Sequence, residues 1–430
     1  MAGRTSLGQV SNEHVPQPGA VTTMSLHRFH TPHPNPALIR ALGWVNDFGI
    51  LPFVSRVHAL HIPGADDARL RDAVSAPFVL CPNHPEFFTD WMIDKWLMSR
   101  YAPRAIAWAD PEIVNGTGPV GRWFWLSNGL VAAVRGDDLE RAFAYSAERV
   151  AEGAGALLHP EGEVNWDNEA PGALRTGAIR IAERAAQLAR RPVHLVPLAW
   201  FIRYRADATV GLERELDYVE HRLGATTSRG GTPAARLGEL FTFLLEREAA
   251  PWDIDIGPRE GGFAARLGRG LDDALRRLLA TWPQYEPPAL PTDAADAAHA
   301  WRAQVRRVRE APAEFRRQVG VIDRMLRLVP AGIHEPTLTQ EQVGERIKRL
   351  RLDWLRGTLR DDVTRFVPRA AAPRDLFLRV GSMVAVGGPV EHVPTLAALS
   401  SGMRDALAAA RQDGLDRLGA PITYPNPFLG

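Results

Sequence analysis

The sequence predicts an α/β protein, a sheet flanked by helices with a large helical insertion or second domain before the final strand. Three observations lead there. Strand-like apolar runs alternate with helical patterns from about residue 57 to 204. Residues 209–370 are almost wholly helix-like and rich in Arg and Glu. A strand signal then returns at Leu376–Val390, and one last helical pattern follows. At 430 residues, 45% of them hydrophobic, the chain is long enough for one large domain or two of ordinary size.

Taken in order, residues 1–36 lack a continuous apolar core and a small-residue cleavage pattern, and read as a flexible leader. Asn35–Val57 places apolar residues at helical spacing over a broad face, which suits a core helix or an interfacial helix lying on lipid. Val57–Ile62 is a short strand ended by Pro63-Gly64. "ADDARLRDAVSA" reads as a short helix, "FVLC" as a buried strand, and Phe88 onward into "WMIDKWLMSRY" as helix. Ala105–Ala109 and Gly129–Val134 are strands, and Asp137–Gly153 is an amphipathic helix with an acidic start. Gly155–His159 is a buried strand, Gly177–Arg191 a helix, and Val193–Tyr204 a strand. The expected division is a core over 37–204, an insertion over 205–374, and a closing strand and helix over 375–430.

Bulk charge narrows the function. A formal net charge of +1 provides no overall field to recruit nucleic acid or acidic membrane. Between Trp301 and Ala370, however, basic residues outnumber acidic ones by about seven, a block that suits solvated helix faces or an anionic surface such as headgroups or an acidic carrier protein. One cysteine excludes an internal disulfide framework and Cys-rich zinc sites, and fits a reducing compartment. No window reaches the roughly 18 uncharged apolar residues of a spanning helix. The expectation is a cytoplasmic protein with peripheral membrane contact left open.

Four segments carry possible chemistry. In "PNHPEFFTD", His84 leaves a buried strand, and a carboxylate one turn later would accept its Nδ1–H and leave Nε2 as a base. A structural histidine fits the same pattern. Arg135 follows the strand "GLVAAV"; an arginine there can grip a phosphate bidentately, or simply face solvent. Pro160-Glu161-Gly162 is a turn after a strand, so Glu161 stands at the carboxyl edge of the sheet, where α/β proteins bind ligands. Pro197 interrupts an apolar run and marks an edge or bulge beside a pocket. Gly116–Gly121 matches GxGxxG letter for letter, but "DPEIVN" separates it from the preceding strand and Pro119 removes an N–H, so nucleotide binding is not expected there. No GxSxG elbow and no GxxxxGK[ST] loop occurs.

The order of the four segments, Asn83-His84, then Arg135, then Pro160-Glu161-Gly162, then Val196-Pro197, resembles the PlsC-like glycerolipid acyltransferase family, with its NHxxxxD, (V)xR, (F)PEG(TR) and (V)P blocks. "VHALHIPG", "LRTGAIRIAERA" and "VAVGGPV" add to it, so the resemblance covers about 37–204 and 375–418. It implies an acyltransferase-type mixed sheet and acyl transfer from acyl-CoA or acyl carrier protein to a hydroxyl of a lysophospholipid or glycerol phosphate. His84 would be the base and Asp90 its partner, with Glu86 the alternative partner. Asn83, Glu86, Arg135, Glu161, Gly162 and Pro197 would shape the acceptor site, and no metal or redox cofactor is called for. The chain departs from the family twice. Five residues separate His84 from Asp90 where the family has four, which places Thr89 at the usual acid position. Glu163-Val164 replaces the Thr-Arg after Pro-Glu-Gly, and Arg175 or Arg122 is left to supply the missing charge. A non-catalytic lipid- or acyl-binding protein on the same fold is the alternative reading.

Overall fold

The computed structural model describes residues 28–134, 137–228, 230–283, 312–329, 335–367 and 369–429. α1 (Pro36–Val45) is started by Asn35, whose side chain accepts from the N–H groups of Ala37 and Leu38, and by Pro36 in the first turn. It continues as a π-helical stretch, Asn46–Val54, that contains Pro52. The alternating region then runs β1 (Val57–His61), α2 (Gly64–Ala73), β2 (Phe78–Pro82), α3 (Phe87–Tyr101) and β3 (Ile106–Ala109). It continues with α4 (Pro111–Asn115), α5 (Gly118–Ser127), β4 (Leu130–Ala132), α6 (Asp137–Ala151), β5 (Ala156–Leu157), α7 (Gly177–Ala189) and β6 (Val193–Tyr204). α4 intervenes between β3 and the glycines at 116–121, so they do not form a strand-to-helix turn.

The helical region comprises α8 (Thr209–Leu223), α9 (Pro233–Ala249), α10 (Phe263–Thr281), α11 (Ala313–Leu326), the short β7 (Thr337–Thr339), α12 (Gln340–Trp354) and α13 (Leu359–Phe366). β8 (Arg374–Val380), β9 (Val384–Val386), α14 (His392–Leu418) and β10 (Thr423–Pro425) close the chain.

The central sheet is mostly parallel, in the order β1-β8-β6-β2-β5-β3-β4, with β9 also on β6. β6, β2, β5, β3 and β4 run parallel, and β8 is antiparallel to β6 and parallel to β1. Side chains alternate across it: Val79 and Cys81 face the core under α6 and α7, while Phe78 and Leu80 face that under α3. A fully buried parallel strand reads as a continuous apolar run, which is why β2 and β6 are so apolar. Tyr204 and Arg374 are register partners, so the chain leaves β6 and returns in β8 at one point. Residues 205–373 are thereby accommodated without breaking the sheet.

The helices of the insertion pack around their own core, from Leu212 through Leu240, Leu267, Val319 and Ile347. The chain end belongs to this core. β10 pairs with β7, and the Phe428 ring sits 5.1 Å from Phe241 and 5.3 Å from Phe263. Several of the basic residues of this region are paired, Arg324 with Glu248, Arg327 with Asp353 and Lys348 with Glu345.

Two expectations are corrected here. Pro197 lies in a central strand, paired to Cys81 of β2, and not at an edge. On its other side β9 pairs with Val193–Leu195 and β8 with Leu198–Tyr204, so the residue without an N–H falls where one neighbour gives way to the next. The second concerns Pro36–Val54, which by length and composition is sufficient to cross a bilayer despite Arg40 and Asp47. Only part of its surface is buried; Trp44 and Phe53 are 66% and 76% exposed.

Gly155 shows how tightly this sheet is closed. Its φ is +82°, and a Cβ there would lie 1.9 Å from the Phe78 ring. Gly155→Ala is expected to destabilise the fold by about 2–5 kcal/mol, combining left-handed backbone strain with overpacking. Urea denaturation should show a lower midpoint with an unchanged slope; an unaltered midpoint would contradict this packing.

Candidate active site

His84 is held by its backbone before its ring does anything. β2 ends at Pro82, and the Asn83 side chain prolongs the pairing with β6. Its Nδ2 donates to the Trp200 carbonyl and its Oδ1 accepts from the Trp200 N–H, both at 3.0 Å. The His84 N–H donates to Glu161 Oε1 at 2.8 Å, and its carbonyl accepts from the Asn165 N–H at 2.9 Å. β2 and β5 are adjacent and parallel, so the loops after them meet at one edge, and this is how residues 84 and 161 come together.

Asp90 lies in the first turn of α3, with its side chain fully buried. Its Oδ2 is 2.8 Å from His84 Nδ1 and accepts from the Glu86 N–H at 2.8 Å; its Oδ1 accepts from the Trp200 indole N–H at 3.0 Å. The Glu86 and Trp200 N–H donors favour the ionised form of Asp90, and an ionised Asp90 takes the Nδ1 proton of His84 as a third donor. That assignment leaves Nε2 as a lone pair. It makes no hydrogen bond among the described residues, and the side chain is 19% exposed. The additional residue between His84 and Asp90 is absorbed because His84 sits in the loop ahead of α3, whose first residue is Phe87. Burial and the nearby His159 hold the His84 imidazole well below its usual range. Burial drives Asp90 the other way, upward, against the stabilising Glu86 N–H and Trp200 indole.

A second His–Asp pair lies against the first. The His159 ring stacks on that of His84, with centroids 4.0 Å apart and planes 18° from parallel. Its Nδ1 is 2.9 Å from the Asn83 carbonyl and its Nε2 is 3.0 Å from Asp94 Oδ2. Asp90 and Asp94 are one turn apart on α3, each serving one histidine. Sequence reading passed over this pair, although the acids at i and i+4 and the histidine directly before Pro-Glu-Gly were both visible.

The remaining predicted residues fall into distinct roles. Glu161 follows β5 at the carboxyl edge, but its carboxylate faces inward, accepting from the N–H groups of His84 and Gly172 at 2.8 and 2.9 Å. Burial pushes it up to about 7 against those two donors. Gly162 makes the turn with φ +74°, and a Cβ there would lie 2.9 Å from the Arg175 side chain. Arg175 pairs with Glu163 at 3.5 Å, and Arg122 approaches the His30 ring at 3.3 Å. Arg135 lies outside the described residues.

Three of the residues expected at the acceptor site make scaffold contacts. Both ends of the Asn83 amide are occupied by β6. Pro197 is buried against Gly381 and Gly402, which a Cβ on either would show by lying 3.0 or 2.9 Å from its ring. Glu86 faces away from His84, into a buried cluster with Arg374 and Lys348, each at 2.5 Å, and the Thr89 hydroxyl at 2.9 Å. Burial would raise Glu86, but the two cations outweigh it and hold it down to about 2. Thr89, standing where the family places its acid, joins this cluster and accepts from Arg374 at 3.0 Å.

Neither a protein-family model nor a curated protein sequence matches the chain. Function must therefore be argued from this geometry.

Proposed function

We propose that the protein is an acyltransferase of the PlsC-like type, moving an acyl group from a thioester donor, acyl-CoA or acyl carrier protein, to a lipid hydroxyl. The observation that carries this reading is the 2.8 Å contact between His84 Nδ1 and a fully buried Asp90, with Nε2 unbonded at the carboxyl edge of parallel strands. Nε2 takes the acceptor's hydroxyl proton as that oxygen attacks the thioester carbonyl. The tetrahedral intermediate collapses by breaking the C–S bond, and the leaving thiolate receives the proton from His84. α3 begins directly after this loop, and backbone N–H groups near its start are the donors this reading assigns to the developing oxyanion. Glu163 follows the Pro-Glu-Gly turn and pairs with Arg175 at 3.5 Å, so an acceptor phosphate there would meet a carboxylate beside that cation.

The test is lipid mass spectrometry of the purified protein incubated with acyl-CoA and mixed lysolipids. Acylated lipid with matching thiol release supports the reading. Thioester that stays intact across the panel while the protein retains bound lipid would favour the non-catalytic alternative.

Membrane contact is part of the proposal, through the exposed Trp44, Phe48 and Phe53 of the first helix and its π-helical extension. Co-sedimentation with neutral liposomes is therefore expected to persist in high salt and to fall severalfold in Trp44→Ser/Phe48→Ser. Binding that requires anionic lipid and disappears with salt would reassign the contact to the basic helices.

A further inference from the structure

We propose that the His159–Asp94 pair is a positioning unit for His84, a buried imidazolium–carboxylate whose positive ring keeps the stacked His84 neutral and its Nε2 available. The protonation of His159 follows from its partners. A carbonyl oxygen only accepts, so Nδ1, 2.9 Å from the Asn83 carbonyl, must donate. Nε2 faces a carboxylate oxygen at 3.0 Å and donates as well. A ring that donates from both nitrogens is a cation. Burial opposes that charge, and Asp94 outweighs it, so His159 is held above its usual range.

His84 is then one ring away from a fixed positive charge, 4.0 Å between centroids. Protonating it would place two cations face to face in a largely buried site, an arrangement that like-charge repulsion disfavours. The other ionisable groups around the two rings do not supply this effect. From α3, Asp90 binds His84 Nδ1, and Lys95 is directed to the Asn128 carbonyl at 3.0 Å. From the turn after β5, Glu161 accepts from backbone N–H groups, and Glu163 pairs with Arg175. From the loop before α3, Glu86 is occupied by Arg374 of β8 and Lys348 of α12. Among the described residues, His159 alone presents a ring to the face of His84. Its edge also meets Trp200 at 5.9 Å, which holds it in the stack.

The electrostatic inference stands whatever reaction His84 performs; only its catalytic consequence rests on the acyl-transfer reading. The experiment is a 15N and 13C imidazole NMR titration of the full chain, with kcat/KM against pH measured alongside. In the wild type, His159 should show both ring nitrogens protonated at pH 7. In His159→Phe and His159→Gln, the titration midpoint of His84 should rise by about one pH unit. Asp94→Asn should move it in the same direction by discharging His159. The glutamine variant can still donate to the Asn83 carbonyl and guards against a collapsed loop. If acyl transfer is present, the acid limb of kcat/KM should move with the midpoint. A neutral His159 in the wild type, or a His84 midpoint unmoved in folded variants, overturns the proposal. Absence of acyl transfer with the midpoints shifted would overturn the reaction assigned to His84 and leave the pair's role intact.

Discussion

His84→Ala is expected to lower kcat for acyl transfer by roughly 10³–10⁴-fold while leaving the fold intact. The two consequences separate because the loop is held by main chain. The His84 N–H and carbonyl are bound by Glu161 and Asn165, and alanine keeps both contacts. The ring contributes the Nδ1 bond to Asp90 and the stack on His159. Consumption of radiolabelled acyl-CoA with a lysolipid panel, beside a thermal melt, measures both. Turnover within tenfold of wild type would remove His84 from the mechanism, and esterase activity surviving the change would point to a hydrolase.

Asp90→Asn and Glu86→Gln should fail in different ways, although the two acids are four residues apart. Asparagine at 90 presents an N–H to His84 or to Trp200, and in either case a donor faces a donor. If it faces His84, the ring proton moves to Nε2 and the base is lost, so kcat should fall by about 10³-fold or more. Glutamine at 86 leaves Arg374 and Lys348 short of a buried counter-charge, a change that costs about 3–5 kcal/mol of stability. Its effect should appear mainly in the melting temperature. The folded Glu86 carboxyl is held below its unfolded value, so its contribution is present above pH 4.5 and is lost as pH falls toward 2. Removing that group should therefore flatten the loss of stability on acidification. A Glu86→Gln protein with normal stability and no turnover would make Glu86 the partner of His84 instead.

Lys348 adds a structural consequence. It comes from α12, toward the C-terminal end of the insertion, and reaches Glu86 across 262 positions of sequence at 2.5 Å. The loop that carries His84 is thus braced by the insertion as well as by the sheet, through Glu86 to Arg374 in β8.

Segments with strong periodicity were legible. β6 appears at Val193–Tyr204 as read, because a strand buried on both faces must be apolar throughout. α6 and α7 were legible from their single apolar faces. β7 and β10 were not, since three residues carry no period and their pairing joins positions far apart in sequence. The π-helical stretch was read as plain helix because the run from Gly49 to Val54 is apolar at successive positions and carries no period that separates the two.

What the amino-acid order determined by itself was local: which runs alternate, which residue ends a strand, and that a histidine precedes a helix bearing acids one and two turns on. These follow from backbone periodicity and side-chain type, which act over a few residues. Only the tertiary structure decided which acid the imidazole meets, that His159 stacks on it, and that Glu86, Asn83 and Pro197 serve the scaffold. The physical reason is that a carboxylate's partner depends on direction and burial. Those are set by which strands lie side by side, here β2 against both β5 and β6, and not by distance along the chain.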